Sequence, residues 1–182
     1  MSLLVLLGGA RSGKSRAAVD LARANPADVV FVATAEALDD EMAARIAAHR
    51  EERPEGWTTV EAPFELEHAI TAVDGDATCV VDCLSLWVSN LLLRGDGHDA
   101  IEVAARACAR SAAARPGFTV AVTNEVGLGV VPATPLGREY RDLLGTVNRT
   151  WVEASERAAF VVAGRLLPLV AGLDVLDVLG AP

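Results

Sequence analysis

The chain has 182 residues, 52% of them hydrophobic and 4% aromatic, with a formal net charge of -9. That length and apolar content suit one compact domain with a buried core and exclude a disordered chain. The negative balance sets the surface against nucleic acid and anionic membrane, so a phosphate-bearing ligand has to be held by a local site.

In chain order, hydrophobic runs alternate with helical periods, the pattern of a parallel sheet flanked by helices. Leu3–Leu7 reads as a short buried strand, too short to span a membrane and lacking a basic leader. A Gly-rich turn and a helix to about Ala24 follow, then a strand at Val29–Ala33. Leu38–Arg53 reads as a helix opened by Asp39, Asp40 and Glu41, with Pro54 set against helix at the residue before it. Trp57–Glu61 is a predicted strand, Phe64–Val73 a helix, Thr78–Asp82 an apolar strand closed by a carboxylate, and Leu84–Leu93 a helix. Gly95-Asp96-Gly97 precedes a long Ala/Arg helix to about Arg115. Thr119–Thr123 is a strand, Glu125 to Pro135 a Gly/Pro loop, Leu136–Arg157 a helix and Ala159–Ala163 a strand, with an apolar tail after Arg165 able to add a strand or hairpin. No repeat or linker divides the chain, so residues 1–182 are expected to form a single domain, soluble and cytoplasmic. Cys79, Cys83 and Cys108 lack metal spacing and fit reduced thiols in a reducing cytosol.

Gly8-Gly9-Ala10-Arg11-Ser12-Gly13-Lys14-Ser15 fits Gly-x-x-x-x-Gly-Lys-Ser between a buried strand and a helix, the context a P-loop requires. Glycines let backbone N–H groups turn inward around phosphates, and the helix N-terminus adds partial positive charge. Lys14 is expected to reach the β- and γ-phosphates and the Ser15 hydroxyl to ligate Mg²⁺. Lys14 is also the only lysine beside fifteen arginines, standing where a compact ammonium has to pass between phosphate oxygens. Asp82 is the best candidate carboxylate near the metal; an N-cap for the helix from Leu84 is the lesser reading, and both can hold. The expected fold is therefore α/β: a P-loop NTPase of RecA-like type, a three-layer sandwich with a mostly parallel central sheet. With its one lysine in the loop, the chain has no Asn-Lys-x-Asp guanine-reading motif, and its charge provides no basic track for a motor on DNA.

Further stretches carry a narrower signal: Ala33-Thr34-Ala35, Asp39-Asp40-Glu41-Met42, Arg45-Ile46, His49-Arg50, Arg53-Pro54, Val81-Asp82-Cys83-Leu84 and Asn90-Leu91-Leu92. Thr123-Asn124-Glu125-Val126-Gly127-x-Gly129-x-Val131-Pro132 follows, with Arg138, Arg141-Asp142, Gly145 and Asn148. With the loop at residues 8–16, this series resembles the bifunctional adenosylcobinamide kinase/adenosylcobinamide-phosphate guanylyltransferases of cobalamin synthesis, in order over nearly the whole chain. The resemblance implies phosphorylation of the aminopropanol hydroxyl of adenosylcobinamide by ATP or GTP, then transfer of GMP from GTP through a histidyl-GMP intermediate. It also implies a homotrimer.

By that resemblance His49 is the guanylylated histidine. Read from the residues alone, Arg45, His49 and Arg53 share one helix face, and flanking guanidiniums would disfavour imidazolium and keep the ring nucleophilic; a solvated basic helix end is the plainer reading. Arg50 and Arg53 are suited to neutralising triphosphate charge. Glu61 resembles a guanine-contacting position, since a carboxylate accepts from guanine N1–H and the 2-amino group together; it also reads as an exposed strand-end acid. Ala33-Thr34-Ala35 resembles a nucleotide-contacting stretch. Glu125 is a candidate for binding the corrinoid or orienting metal-bound water. His68 and His98 read as surface residues. A P-loop kinase for another small alcohol without a covalent intermediate, and a nucleotide-dependent regulator, are the competing readings.

Overall fold

Leu3, Val5 and Leu7 face one side of the first strand and Leu6 the other, and all four are buried. A strand covered on both faces has no polar face to show, which is why it reads as an unbroken apolar run. The computed structural model describes residues 3–37, 39–51 and 53–170; the side chains of Glu41, Arg45, Ala48 and His49 also fall outside that description. In order, the chain forms β1 (Leu3–Gly8), α1 (Lys14–Arg23), β2 (Val29–Ala33), α2 (Asp40–Glu51), β3 (Thr58–Glu61), α3 (Leu66–Thr71) and β4 (Thr78–Asp82). It continues with α4 (Leu84–Arg94), α5 (His98–Ala114), β5 (Thr119–Asn124), α6 (Pro135–Ala154), β6 (Arg157–Val162) and β7 (Arg165–Leu169).

The strands make one seven-stranded sheet in the order β3-β2-β4-β5-β1-β6-β7. Every pairing is parallel except the antiparallel β6–β7 hairpin. Ala18, Val19 and Ala22 of α1 pack on one face with Leu6, Phe31, Val80 and Val122. Helices α3 to α6 cover the other, around Trp87, Ile101, Leu144 and Trp151. The expected three-layer P-loop architecture is therefore the observed one, and the apolar stretch after Arg165 supplies β7; residues from 171 onward lie outside the described residues.

Three helices are shorter than the sequence pattern suggests: α3 keeps only Leu66–Thr71 of the expected Phe64–Val73, and α2 and α6 are cut back for local reasons. Asp39 Oδ1 accepts from Met42 N–H at 2.7 Å, an N-cap that starts α2 at Asp40 rather than Leu38. At its far end α2 stops at Glu51, because Pro54 pushes Arg53 out of helical geometry. Arg53 therefore does not continue the helix face of Arg45 and His49. Helix α6 starts at Pro135 behind the Thr134 cap and ends at Ala154, not Arg157, because Ser155 turns extended and Arg157 already belongs to β6.

The start of β4 is fixed by a buried arginine. Arg115, 7% exposed at the end of α5, donates to the carbonyls of Val73, Asp74 and Ala77 at 2.7, 2.9 and 2.7 Å, and to that of Ile70 at 3.4 Å. It closes the carboxyl end of α3 and the turn that sets the register of the strand ending in Asp82. Arg115→Ala takes the donor from the Val73 and Ala77 carbonyls, while those of Ile70 and Asp74 keep the Val73 and Ala77 N–H groups, a loss of about 3 kcal/mol. The expected result is a lowered urea midpoint with an unchanged slope; a midpoint equal to wild type would show that water replaces the guanidinium without loss.

Candidate active site

A phosphate cradle needs a backbone that turns tightly enough to aim several N–H groups inward. Residues 8–15 have that shape. Gly8 ends β1 where a Cβ would come within 2.3 Å of the Val161 carbonyl oxygen, so only glycine fits between β1 and β6 there. Arg11 (φ 56°) and Gly13 (φ 98°) are left-handed, and Ser12 N–H donates to the Gly9 carbonyl at 3.3 Å. The β6–β7 turn braces the loop from outside, with Gly164 N–H donating to the Ser12 carbonyl at 2.9 Å. Helix α1 then starts at Lys14, directing its first N–H groups toward the loop, and Ser15 stands in its first turn.

Lys14 is 6% exposed, and its ammonium donates to the Gly9 carbonyl at 2.7 Å. Burial pulls its pKa below the ordinary lysine value, while Cys83 and Asp82 act in the opposite direction. Burial also pushes the Cys83 thiol up to about 11, so at neutral pH that sulfur is uncharged and Asp82 supplies the negative charge. The ammonium is thus desolvated and only partly compensated, an arrangement that favours binding an anion. Its folded-state penalty is full at pH values below the lowered pKa, fades as pH rises from there through the ordinary value of 10.5, and is gone above it, where the group is neutral in both states.

Asp82 closes β4, one strand removed from β1 across β5. Its negative charge favours the charged forms of both Lys14 and Arg53. It does not cap α4: the cap position is Cys83, which makes no side-chain cap bond. Thr34 holds this corner in place. Its hydroxyl donates to the Cys83 carbonyl at 2.7 Å and accepts from Cys83 N–H at 2.8 Å, while its own N–H donates to the Asp82 carbonyl at 3.2 Å. Asn90, buried in the Leu-rich helix α4, donates to the Thr34 and Pro63 carbonyls at 2.8 and 3.1 Å. Thr34 is fully buried, so within Ala33-Thr34-Ala35 it positions the strand end, and the half-buried Ala33 and Ala35 flank it.

Across the sheet edge, α2 and β3 bring further sequence candidates together. Arg50 of α2 pairs with Glu61 at the end of β3. The Arg53 guanidinium stacks 3.9 Å from the centroid of Phe31 and donates to the Thr59 hydroxyl at 3.2 Å. Burial disfavours its charge, Asp82 favours it, and Arg50 opposes it. His49 lies in the last turns of α2, with its side chain outside the described residues. No described side chain of α2 is buried, and among the described residues the Arg50–Glu61 pair ties the helix to β3, with Arg53 seated on Phe31 just beyond its end.

On the other flank, Glu125 N–H donates to the Gly8 carbonyl at 3.0 Å, tying the β5–α6 loop to the cradle, and its carboxylate accepts from Gly127 N–H at 2.6 Å. Asn148 of α6 accepts from the buried Thr123 hydroxyl at 2.6 Å and donates to the Asn124 carbonyl at 2.9 Å, fixing α6 against the end of β5. His68 and His98 are exposed, the latter 2.6 Å from Glu139, and all three cysteines are free. Among the positioning residues, Arg115 and Gly164 carry no sequence role in the reading above; Asn90 in the Leu-rich run was the one visible signal, a polar residue where the pattern demands an apolar one.

A family model described as cobinamide kinase / cobinamide phosphate guanyltransferase matches residues 4–169. The chain is 43% identical over 166 residues to the bifunctional adenosylcobalamin biosynthesis protein CobP of Pseudomonas aeruginosa, covering 91% of this chain and 95% of that one. It is 39% identical over 175 residues to the bifunctional adenosylcobalamin biosynthesis protein CobU of Escherichia coli, covering 89% and 96%. Among solved structures, the type III secretion ATPase EscN of enteropathogenic E. coli shares the fold at a TM-score of 0.52 and 12% identity, over 89% of this chain and 43% of that one.

Proposed function

This chain belongs to the cobinamide kinase / cobinamide phosphate guanyltransferase family, and from that premise we propose that one site runs two reactions at phosphorus. It is a bifunctional enzyme of cobalamin biosynthesis. In the first reaction the aminopropanol hydroxyl of adenosylcobinamide attacks the γ-phosphorus of ATP or GTP, the bond to the β-phosphate breaks, and the nucleoside diphosphate leaves. In the second, a ring nitrogen of His49 attacks the α-phosphorus of GTP and pyrophosphate departs, leaving a phosphoramidate. An oxygen of the new cobinamide phosphate then attacks that phosphorus, giving adenosylcobinamide-GDP and restoring the imidazole.

The observation that carries this reading is that Asp82, at the end of β4, favours the charge of two cations at once: Lys14 of the phosphate cradle and Arg53 just after the histidine helix. The cradle residues Gly8 to Ser15 hold the phosphates, and Lys14 balances charge that develops between β and γ. Arg50 and Arg53 serve the triphosphate on the α2 side, and Glu61, released from Arg50, accepts from the guanine edge. The Ser15 hydroxyl and Asp82 carboxylate are hard oxygen donors of the kind Mg²⁺ takes, completing its shell with phosphates and water. Mg²⁺ there would neutralise phosphate charge during transfer. Cleavage at γ and at α demands different placements of the chain of phosphates, so either α2 moves between the two steps or the nucleotide rebinds. Among the described residues no helix is long and apolar enough to cross a membrane; we assign the reactions to the cytoplasm and to a homotrimer.

The test is turnover by the wild-type protein with Mg²⁺, GTP and adenosylcobinamide. Release of both nucleoside diphosphate and pyrophosphate, each dependent on the corrinoid, is expected. Diphosphate without pyrophosphate reduces the protein to a plain kinase, and corrinoid-independent hydrolysis alone removes the reading altogether.

A further inference from the structure

Helix α6 carries a feature the two reactions leave unused. Arg141, Gly145 and Arg149 recur at four-residue steps and so share one face, with Asp142 and Thr146 in the adjoining row. Together with Gly127 these side chains line a cleft of about 370 Å³, within the size range of small-molecule sites. Its position follows from contacts already described. Asn148, on the inner side of α6, is bonded at the carboxyl end of β5, so Gly145, one turn earlier, stands above the same sheet edge as the phosphate cradle. Gly127, on the opposite wall, is bonded to Glu125, whose own N–H holds the Gly8 carbonyl.

The lining has mixed polarity. Arg141 uses Nε and Nη2 on Asp142 Oδ1, both at 2.8 Å, which leaves three of a guanidinium's five N–H donors. The Asp142 carboxylate keeps acceptor capacity beside them. A primary carboxamide needs this complement: donors for its carbonyl oxygen and an acceptor for its NH₂. The lip of the cleft is apolar instead. Directly after Gly127 come Leu128, Val130 and Val131, exposed by 79%, 96% and 63%. A patch of that kind beside a polar cleft marks a place where a partly apolar molecule lies down. The acceptor of the proposed reactions has both characters, a broad corrin face with primary carboxamides projecting from its rim.

We infer that the α6 cleft and its apolar lip dock the corrinoid acceptor, the Arg141–Asp142 pair taking a peripheral carboxamide and residues 128–131 meeting the macrocycle face. This rests on the reading under Proposed function and adds the acceptor's location to it. From there the aminopropanol arm approaches the cradle from the side opposite α2.

Gly145 gives a clean test, because a Cβ built on it meets nothing within 4 Å and the residue is in a regular helix. Gly145→Phe should keep the fold and place a ring in the cleft, and Gly145→Ala is the control that leaves it open. Equilibrium dialysis of the full chain against dicyanocobinamide, with Mg²⁺-GTP binding measured in parallel, reads the result. Expected is a loss of about tenfold or more in cobinamide affinity for Gly145→Phe, unchanged GTP affinity, and near wild-type behaviour for Gly145→Ala. Arg141→Ala should raise KM for the corrinoid without altering KM for the nucleotide. Equal cobinamide binding by wild type and Gly145→Phe overturns the assignment, as does a change in sedimentation coefficient with Gly145→Phe, which would make the cleft a contact between copies. A wild-type protein that binds GTP but no cobinamide brings down the proposed function itself, and this inference with it.

Discussion

His49→Ala is expected to take up no label from GTP carrying a radioactive α-phosphate, while still phosphorylating cobinamide. The wild-type adduct should survive base and be lost in acid, as a phosphoramidate does and a phosphoester does not. Loss of a covalent nucleophile removes a step rather than one contact, so GMP transfer should fall by about 10³-fold or more. The kinase half should persist because its groups, Lys14 and Asp82, are carried by α1 and β4, whereas His49 is on α2. Label retained at the wild-type level would move the nucleophile to another residue and would leave Arg50 and Arg53 as triphosphate ligands only.

Lys14→Met separates catalysis from stability in the opposite direction. Methionine keeps the unbranched stem that fills the space but removes the ammonium. Phosphoryl transfer should drop by about 10²- to 10³-fold, the scale of losing one well-placed charge donor at a developing anion. The folded chain should be no less stable, and more stable if the Gly9 bond does not offset desolvation, because burial disfavours the Lys14 charge. Fluorescence-monitored urea unfolding without nucleotide checks the second half, and the rate with saturating Mg²⁺-ATP checks the first. A variant that turns over normally removes the cradle from the chemistry; one that unfolds in buffer shows that the Gly9 bond outweighs desolvation.

The parts of this site that were legible in the sequence are those set by neighbouring residues. The cradle is contiguous, and its glycines, its single lysine and the strand before it announce the backbone they need. Asp82 was legible as a carboxylate ending an apolar strand, with a cap as the lesser reading until Cys83 took that position. The seat of Arg53 was not legible. A helical period drawn through Arg45 and His49 extends to it, but the proline that ends the helix sends the guanidinium back onto Phe31, twenty-two residues earlier in the chain. Thr34 read as a ligand contact and is instead absorbed by Cys83 across forty-nine residues. Arg115 read as one more arginine at a helix end, and its partners in the α3–β4 turn are about forty residues away. Periodicity reports which face of an element is apolar, not which distant backbone a polar group will find there.

The strand order has a consequence for how the protein is made. The cradle lies within the first fifteen residues, but β1 is flanked by β5 and β6, whose last residues are Asn124 and Val162, and the Ser12 carbonyl is held by Gly164. A nascent chain therefore carries its nucleotide motif without the neighbours that shape it until β5, β6 and Gly164 have also been made. GTP cannot template the folding of the cradle before then; it can only stabilise it once those later strands are in place.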